Sequence, residues 1–253
     1  MQSTVVSHHS ATSTEDSLRI NMAAGFRWLD KMGMSDLTAG SIVARVTETC
    51  NELLTHPHDY YFDEICAHDI VKTDFQANVV DGSNRRVNFA AVNPAASIFQ
   101  ARPDVNVVIH AHAHAIMAVS GLETGLQLVS EPAFAFYKGL SYLDPDFHFD
   151  DDYCAEVVTA LGDGKALIYR NHSFSTVGKT VAEAVLNAYL LDQACEIQLR
   201  MQASGEKIIR PTDTQLQHHY DAFYGNPRYV YDGSLEWAGM LRRLDREDRS
   251  YRN

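Results

Sequence analysis

The sequence predicts an α/β fold with a mixed, mostly antiparallel sheet covered by helices, and three observations carry that reading. The stretch "DIVKTDFQANVVDG" (69–82) sets two β-rich runs around a Gln-Ala-Asn turn, a hairpin signal and so a sign of antiparallel pairing. Helical and strand patterns alternate only later in the chain, whereas a doubly wound parallel sheet would alternate throughout. With 253 residues, 45% of them hydrophobic and 21% charged, the chain is long enough for one full core with extensions at both ends.

Residues 1–16 are polar and rich in Ser, Thr and His, and read as a disordered tail. Thr14 is the candidate N-cap of a helix over "TEDSLRINMAAGFRWLDKMG". Its apolar face carries Leu18, Met22, Phe26 and Leu29, and Gly33 is its stop. "SIVARV" and "ELLTHPHDYYF" read as short strands, followed by the hairpin. Pro94 opens a helix over "PAASIFQARP", and Pro103 closes it. "VNVVIHAH" is a strand, and "AHAIMAVSG" a helix ended by Gly121. A helix over "DDDYCAEVVTALGDG", a strand over "KALIYRNH" and the longest helix, "TVAEAVLNAYLLDQACEIQLRMQASG", come next. Residues 17–210 form the domain. A Tyr-rich extension, 211–253, ends in the charged helix "SLEWAGMLRRLDRED" and packs on the domain or on a neighbouring subunit.

Composition narrows the function. A net charge of −12 leaves no basic stripe to neutralise phosphates, so neither nucleic acid nor an anionic membrane is expected as a partner. No apolar run approaches the roughly 20 residues that span a bilayer. The N-terminus shows no basic segment followed by an apolar one, so no secretory signal is expected. The four cysteines (Cys50, Cys66, Cys154, Cys195) are scattered, which reads as free thiols in a reducing cytoplasm.

The chemistry concentrates in "VNVVIHAHAHAIMAVSG" (105–121). Residues two apart on a strand share a face, about 6.5–7 Å apart, so His110 and His112 can converge on one ion. Two imidazoles hold a metal poorly, and His172, at the end of another apolar strand in "ALIYRNHSFSTVG", is the candidate third ligand. His114 falls where the chain turns into a helix, off the strand's face, and reads as a pocket wall or proton shuttle. His56 and His58 flank a proline and read as a surface turn. His8, His9, His218 and His219 also read as surface residues.

Several segments together resemble the class II aldolase/adducin family: "TAGSIVARV", "DIVKTDFQANVVDG", "FQARPDVNVVIHAHAHAIMAVS", "ALIYRNHSFSTVGKTVAEA" and "ACEIQLRM". The ending "LEWAGMLRRLDREDRSYRN" resembles that of bacterial adducin-like members, and the similarity runs from about residue 20 to the C-terminus. The resemblance implies a three-layer α/β/α sandwich and a fourfold homotetramer with active sites at subunit interfaces. It also implies one divalent ion per subunit on His110, His112 and His172. Imidazole suits zinc, iron(II), manganese and cobalt alike, with zinc or iron expected first.

The departures from the family pattern are informative. Sugar-phosphate aldolases of the family carry a catalytic glutamate where this chain has Ala91, and phosphate-holding groups where it has Gly40-Ser41, Phe89 and Ala90. The stretch "LVSEPAFAFYKG", where those aldolases contribute an interfacial tyrosine, offers Glu131, Tyr137 and Lys138. The expectation is a metal-dependent lyase that cleaves a C–C bond, by decarboxylation or aldol chemistry, in a non-phosphorylated oxo or hydroxy acid. Proton handling falls to Glu131, Tyr137 or His114. The alternative is an Fe(II) oxygenase performing oxidative decarboxylation, as some adducin-like members of aminocoumarin biosynthesis do. Tyr60, Tyr61, Phe134, Phe136 and Tyr137 are its candidate aromatic pocket residues. The other alternative is a non-catalytic, adducin-like interaction module, which would have no need of the three histidines.

Overall fold

The computed structural model describes residues 14–46, 51–144, 148, 150–224, 226 and 228–253. The assigned tail up to residue 13, with His8 and His9, and Cys50 lie outside them. Helix α1 runs over Thr14–Lys31, with Met22, Phe26 and Leu29 buried on the face that the spacing selects. Thr14 is itself helical, so the helix already includes the end of the segment read as a tail. Gly33, at φ +72°, turns the chain out of the helix.

Seven strands form one sheet: β1 (Ser41–Arg45), β2 (Leu53–Thr55), β3 (Val71–Thr73), β4 (Val107–Ala111), β5 (Leu140–Leu143), β6 (Ala166–Tyr169) and β7 (Ser173–Gly178). Their order is β3-β2-β1-β4-β7-β6-β5, and every neighbouring pair is antiparallel except β5 with β6. The sheet is mixed and mostly antiparallel, as the sequence predicts.

Two cores sit on opposite faces of the sheet. On one, Ile42, Val107, Ile109, Ala111, Ile168 and Phe174 pack with α1, α3 (His114–Ser120) and α6 (Val181–Ala203). On the other, Val43, Val108, Leu167, Tyr169 and Val177 pack with α2 (Phe89–Ala101) and α5 (Asp151–Leu161). This is the α/β/α sandwich, and the strict alternation along β4 assigns each of its residues to a layer. The extension folds back on the domain. Helix α7 (Asp213–Phe223) contacts the short α4 (Glu131–Phe134), and α8 (Ser234–Glu247) contacts α1 and α6. Trp237 Nε1 of α8 donates to Asn21 Oδ1 of α1 at 2.6 Å.

The structure corrects four sequence expectations. First, the strand read over "ELLTHPHDYYF" stops at Thr55, and the chain then turns, with Tyr60 N–H on the Pro57 carbonyl and Glu64 N–H on that of Tyr61. Second, α2 begins five residues before Pro94 because Asn88 caps it, its Oδ1 accepting from Ala90 N–H at 3.1 Å. Pro94 thus falls in the helix's second turn, where it forgoes the bond its N–H would have made to the Ala90 carbonyl, and it is buried. Third, β7 is a strand where the sequence reading had only a connection into α6. Asn171, at φ +56°, makes the tight β6–β7 turn, a conformation asparagine adopts more readily than most residues.

Fourth, His56 is not on a surface turn. It is 1% exposed, its ring 4.7 Å from that of Phe26 and 5.7 Å from that of Phe62, and neither nitrogen has a hydrogen-bond partner. Burial, then the nearby His58, push its pKa down from 6.5 to about 3. The unfolded chain therefore takes up a proton at His56 as pH falls below 6.5 while the folded chain does not, so this site costs stability progressively towards about pH 3. Urea titrations across that range should show a shallower loss of stability for His56→Leu than for the wild type. An unchanged slope would mean that His56 is not neutral in the fold.

Candidate metal centre

The three sequence-selected ligands meet at one end of the central strands. His110 lies on β4, on the face of Val108, and so points towards the α2/α5 layer. His112 follows the end of β4, where its N–H bonds the Met34 carbonyl at 3.3 Å. His172 closes the β6–β7 turn, its N–H on the Tyr169 carbonyl at 3.1 Å. The ring nitrogens of the three lie within 4.8 Å of one another. Ring centroids are 5.5 Å apart for His110 and His112, 5.4 Å for His110 and His172, and 5.1 Å for His112 and His172.

This geometry fits a divalent ion. The Nε2 atoms of His112 and His172 are 3.2 Å apart. Two imidazoles on a tetrahedral ion at 2.0–2.1 Å would hold their nitrogens about 3.3–3.4 Å apart. Each ring also has a partner at Nδ1. His112 Nδ1 meets Asp36 Oδ2 at 3.0 Å, His172 Nδ1 meets Ser173 Oγ at 3.0 Å, and His110 Nδ1 meets Ser175 Oγ at 3.3 Å. Such outer partners fix ring orientation and tautomer and leave Nε2 as the ligating atom. The Ser173 hydroxyl also lies 3.3 Å from His110 Nε2, and Ser175 Oγ contacts Tyr169 OH at 3.1 Å.

The electrostatics agree with the geometry. Desolvation of its ring, then the neighbouring His112 and His172, push His110 down to about 3. Burial, then His112, push His172 down as well. Both rings are thus neutral at ordinary pH, the form that ligates. Above the histidines a cavity of about 150 Å³ opens between the sheet and α2. Its walls include Gly40, Asn88, Ala90, Ala91, Tyr153 and Tyr169, with no Lys or Arg in the lining among the described residues.

The other sequence candidates lie elsewhere. Ala91 lines the cavity with a methyl group, whereas Phe89 faces away and is 58% exposed. His114 is exposed at the start of α3. Glu131, at the start of α4, is exposed beside Tyr224 and Tyr231. Tyr137 donates to Asp213 Oδ1 at 2.6 Å, and that carboxylate raises the phenol's pKa above its usual value. None of these three lines the cavity. Nor do Tyr60, Tyr61, Phe134 or Phe136; the cavity's aromatic wall is Tyr153 and Tyr169 instead. The sequence reading missed Asp36, Ser173 and Ser175. The alternating serines after His172 were a usable signal for two of them, but nothing near Asp36 marked it.

Among the described residues no helix is long and apolar enough to cross a membrane. Comparison with known proteins gives the family. Residues 20–199 match the family model of the class II aldolase and adducin N-terminal domain. A Caulobacter vibrioides protein provisionally named as a class 2 aldolase is 30% identical over 234 residues, covering 92% of this chain and 91% of its own. A Streptomyces roseochromogenus protein named 4-hydroxy-3-prenylphenylpyruvate oxygenase/4-hydroxy-3-prenylbenzoate synthase is 31% identical over 219 residues, covering 80% of this chain and 76% of its own. The crystal structure of an aldolase II superfamily protein from Pseudomonas syringae superposes with a TM-score of 0.88 at 27% identity, covering 96% of this chain and 98% of that one. The chain belongs to the class II aldolase/adducin family.

Proposed function

We propose that this protein is a metal-dependent lyase that breaks a C–C bond beside the carboxylate of a small, non-phosphorylated oxo or hydroxy acid, by decarboxylation or aldol-type cleavage. The observation that carries this reading is a cluster of three histidines, two of them held neutral, opening onto a cavity whose wall offers Ala90 and Ala91 in place of acid and phosphate-binding groups. His110, His112 and His172 would hold one divalent ion, zinc or iron(II) first. The ion would supply Lewis-acid stabilisation of negative charge building on a substrate oxygen.

The chain's own residues do the remaining work. Asp36 and Ser173 hold His112 and His172 in position, and Ser175 does so for His110. Asn88 lines the cavity with its Oδ1 already engaged by the helix cap, which leaves its NH₂ to donate to a substrate oxygen. Ile98, Pro94 and Val108 keep the far wall apolar, which disfavours a phosphate dianion that needs several donors or cations. Proton transfer falls to a group from a neighbouring subunit of a homotetramer, Glu131 before Tyr137, with His114 third. Glu131 is exposed at the start of α4, whereas Tyr137, just beyond that helix, would have to give up its bond to Asp213 to reach another chain's cavity.

A second reading is oxidative decarboxylation by an iron(II) enzyme, which the Streptomyces relative's name favours. A purely adducin-like interaction module is disfavoured, because the three imidazoles and their outer partners have no purpose there.

Single replacements His110→Ala, His112→Ala and His172→Ala should each remove most bound metal and all activity while leaving circular dichroism unchanged; Asp36→Ala should weaken metal binding by about 10–100-fold. Stoichiometric metal in His110→Ala, by elemental analysis, would refute the ligand set.

Fuculose-, rhamnulose- and ribulose-phosphates should give no meaningful turnover. Anaerobically purified protein should carry the metal, and an oxygen electrode with aromatic 2-oxo acids separates the two enzymatic readings. Iron with oxygen uptake selects the oxygenase, while zinc without uptake selects the lyase.

Glu131→Gln should keep metal and tetramer, seen by light scattering, and lose about a hundredfold or more in rate. If Glu131→Gln runs at the wild-type rate while Tyr137→Phe collapses, the tyrosine is the proton-handling group.

A further inference from the structure

A second cluster of ligating side chains lies away from the three histidines, on one short 3-10 turn of the sequence Cys66-Ala67-His68-Asp69. The sulfur of Cys66, a ring nitrogen of His68 and a carboxylate oxygen of Asp69 lie within 4.8 Å of one another. We propose that this turn is a second divalent-metal site, taking a thiophilic or borderline ion of the Zn²⁺ class through Cys66 Sγ, His68 Nε2 and Asp69, with water completing the shell.

The orientation of His68 carries the argument. Its Nδ1 lies 3.0 Å from the main-chain oxygen of Asn253, which also accepts the His68 backbone N–H at 2.7 Å. That oxygen only accepts, so in the neutral ring Nδ1 carries the proton and Nε2 presents its lone pair. That lone pair faces Asp69 Oδ1 at 3.5 Å. Two acceptors set opposite each other favour a cation between them. An Nδ1–H bonded to a backbone carbonyl is also the outer contact that metal-ligating imidazoles commonly make.

The other two donors are held in the same manner. Asp69 is 5% exposed; its Oδ2 accepts the Cys66 N–H at 3.0 Å and its Oδ1 accepts Arg85 Nη2 at 3.0 Å, so the carboxylate is fixed with lone pairs to spare. Cys66 Sγ donates to the Glu64 carbonyl at 3.5 Å, and Arg27 Nη2 lies 3.8 Å from it. On binding, the thiol proton leaves to solvent, the Glu64 contact is given up and the metal–sulfur bond replaces it. Thiolate, imidazole and carboxylate together match the donor preference of Zn²⁺. The His68 side chain is 64% exposed, so the ion enters from solvent and exchanges with it. The two sites differ in kind: the first offers nitrogen donors only, the second includes a sulfur.

That difference supplies the test. Reduced protein is titrated with Cd²⁺ while the sulfur-to-cadmium charge-transfer absorption is followed in the ultraviolet. Wild-type protein and the His110→Ala/His172→Ala double variant should both show the band saturating at about one Cd²⁺ per chain, since three imidazoles alone cannot produce it. Added Zn²⁺ should displace the Cd²⁺ and abolish the band. Cys66→Ser should lose the band, and His68→Ala, a change at a largely exposed side chain, should weaken Cd²⁺ binding by about tenfold or more with the fold intact. Absence of the band in the wild type, its survival in Cys66→Ser, or an unaltered Cd²⁺ affinity in His68→Ala would each overturn the proposal.

Discussion

The pairing of β4 with β7 is the constraint on which the rest of this structure depends. It fixes His110 opposite Ser175 and Ala111 opposite Phe174 in the middle of the seven-stranded sheet. Because side chains alternate across a strand, that register sends Ile109 and Ala111 into the core under α6 and sends Val108 and His110 towards α2. A slip of one residue would exchange the faces, burying an imidazole among Phe26, Ile168 and Phe174. The same pairing sets the Ser175 hydroxyl beside His110 Nδ1, so the outer contact of one ligand follows from the backbone ladder itself.

The site joins three kinds of backbone. His110 is held by a strand, His112 by the segment leaving that strand, and His172 by the tight turn that returns β6 into β7. A central strand is the most restrained element of a sheet, and the Asn171 turn is short, so the three rings are placed before any ion arrives. Preplacement of ligands reduces the ordering cost of binding. It also crowds the imidazoles against each other, and that crowding adds to burial in keeping His110 and His172 unprotonated. Neutral imidazoles brought together in this way suit a cation, in a chain whose overall charge of −12 also favours cations.

The cavity over the histidines owes its character to α2. Starting the helix at Phe89 rather than at Pro94 brings Asn88, Ala90 and Ala91 to the rim, with Pro94, Ala95 and Ile98 behind them. Ala90 and Ala91 present methyl groups to the cavity there. The sheet positions the three histidines, while a few residues at the start of one helix set the character of the cavity over them.

The sequence by itself determined the fold class and the family, and it picked out the three histidines that the fold gathers. Strand alternation, helical spacing and the His-x-His pair are local patterns whose physical consequences do not depend on distant residues. Met22, Phe26 and Leu29 became core for that reason, and His110 and His112 came to lie together at one strand end; His172 joins them only through the pairing of β4 with β7. Other features needed the tertiary structure, because they arise from contacts between segments far apart in the chain. Asp36 reaches His112 across 76 residues, and nothing around it marks it as an outer ligand. His56 looked like part of a polar turn until Phe26 and Phe62 closed over it. Strand β7 was hidden because "SFSTVG" is a short Ser- and Thr-containing run whose burial comes from lying between β4 and β6. The extent of α2 was likewise decided by its cap and by packing against α5, which outweighed the helix-start signal of Pro94.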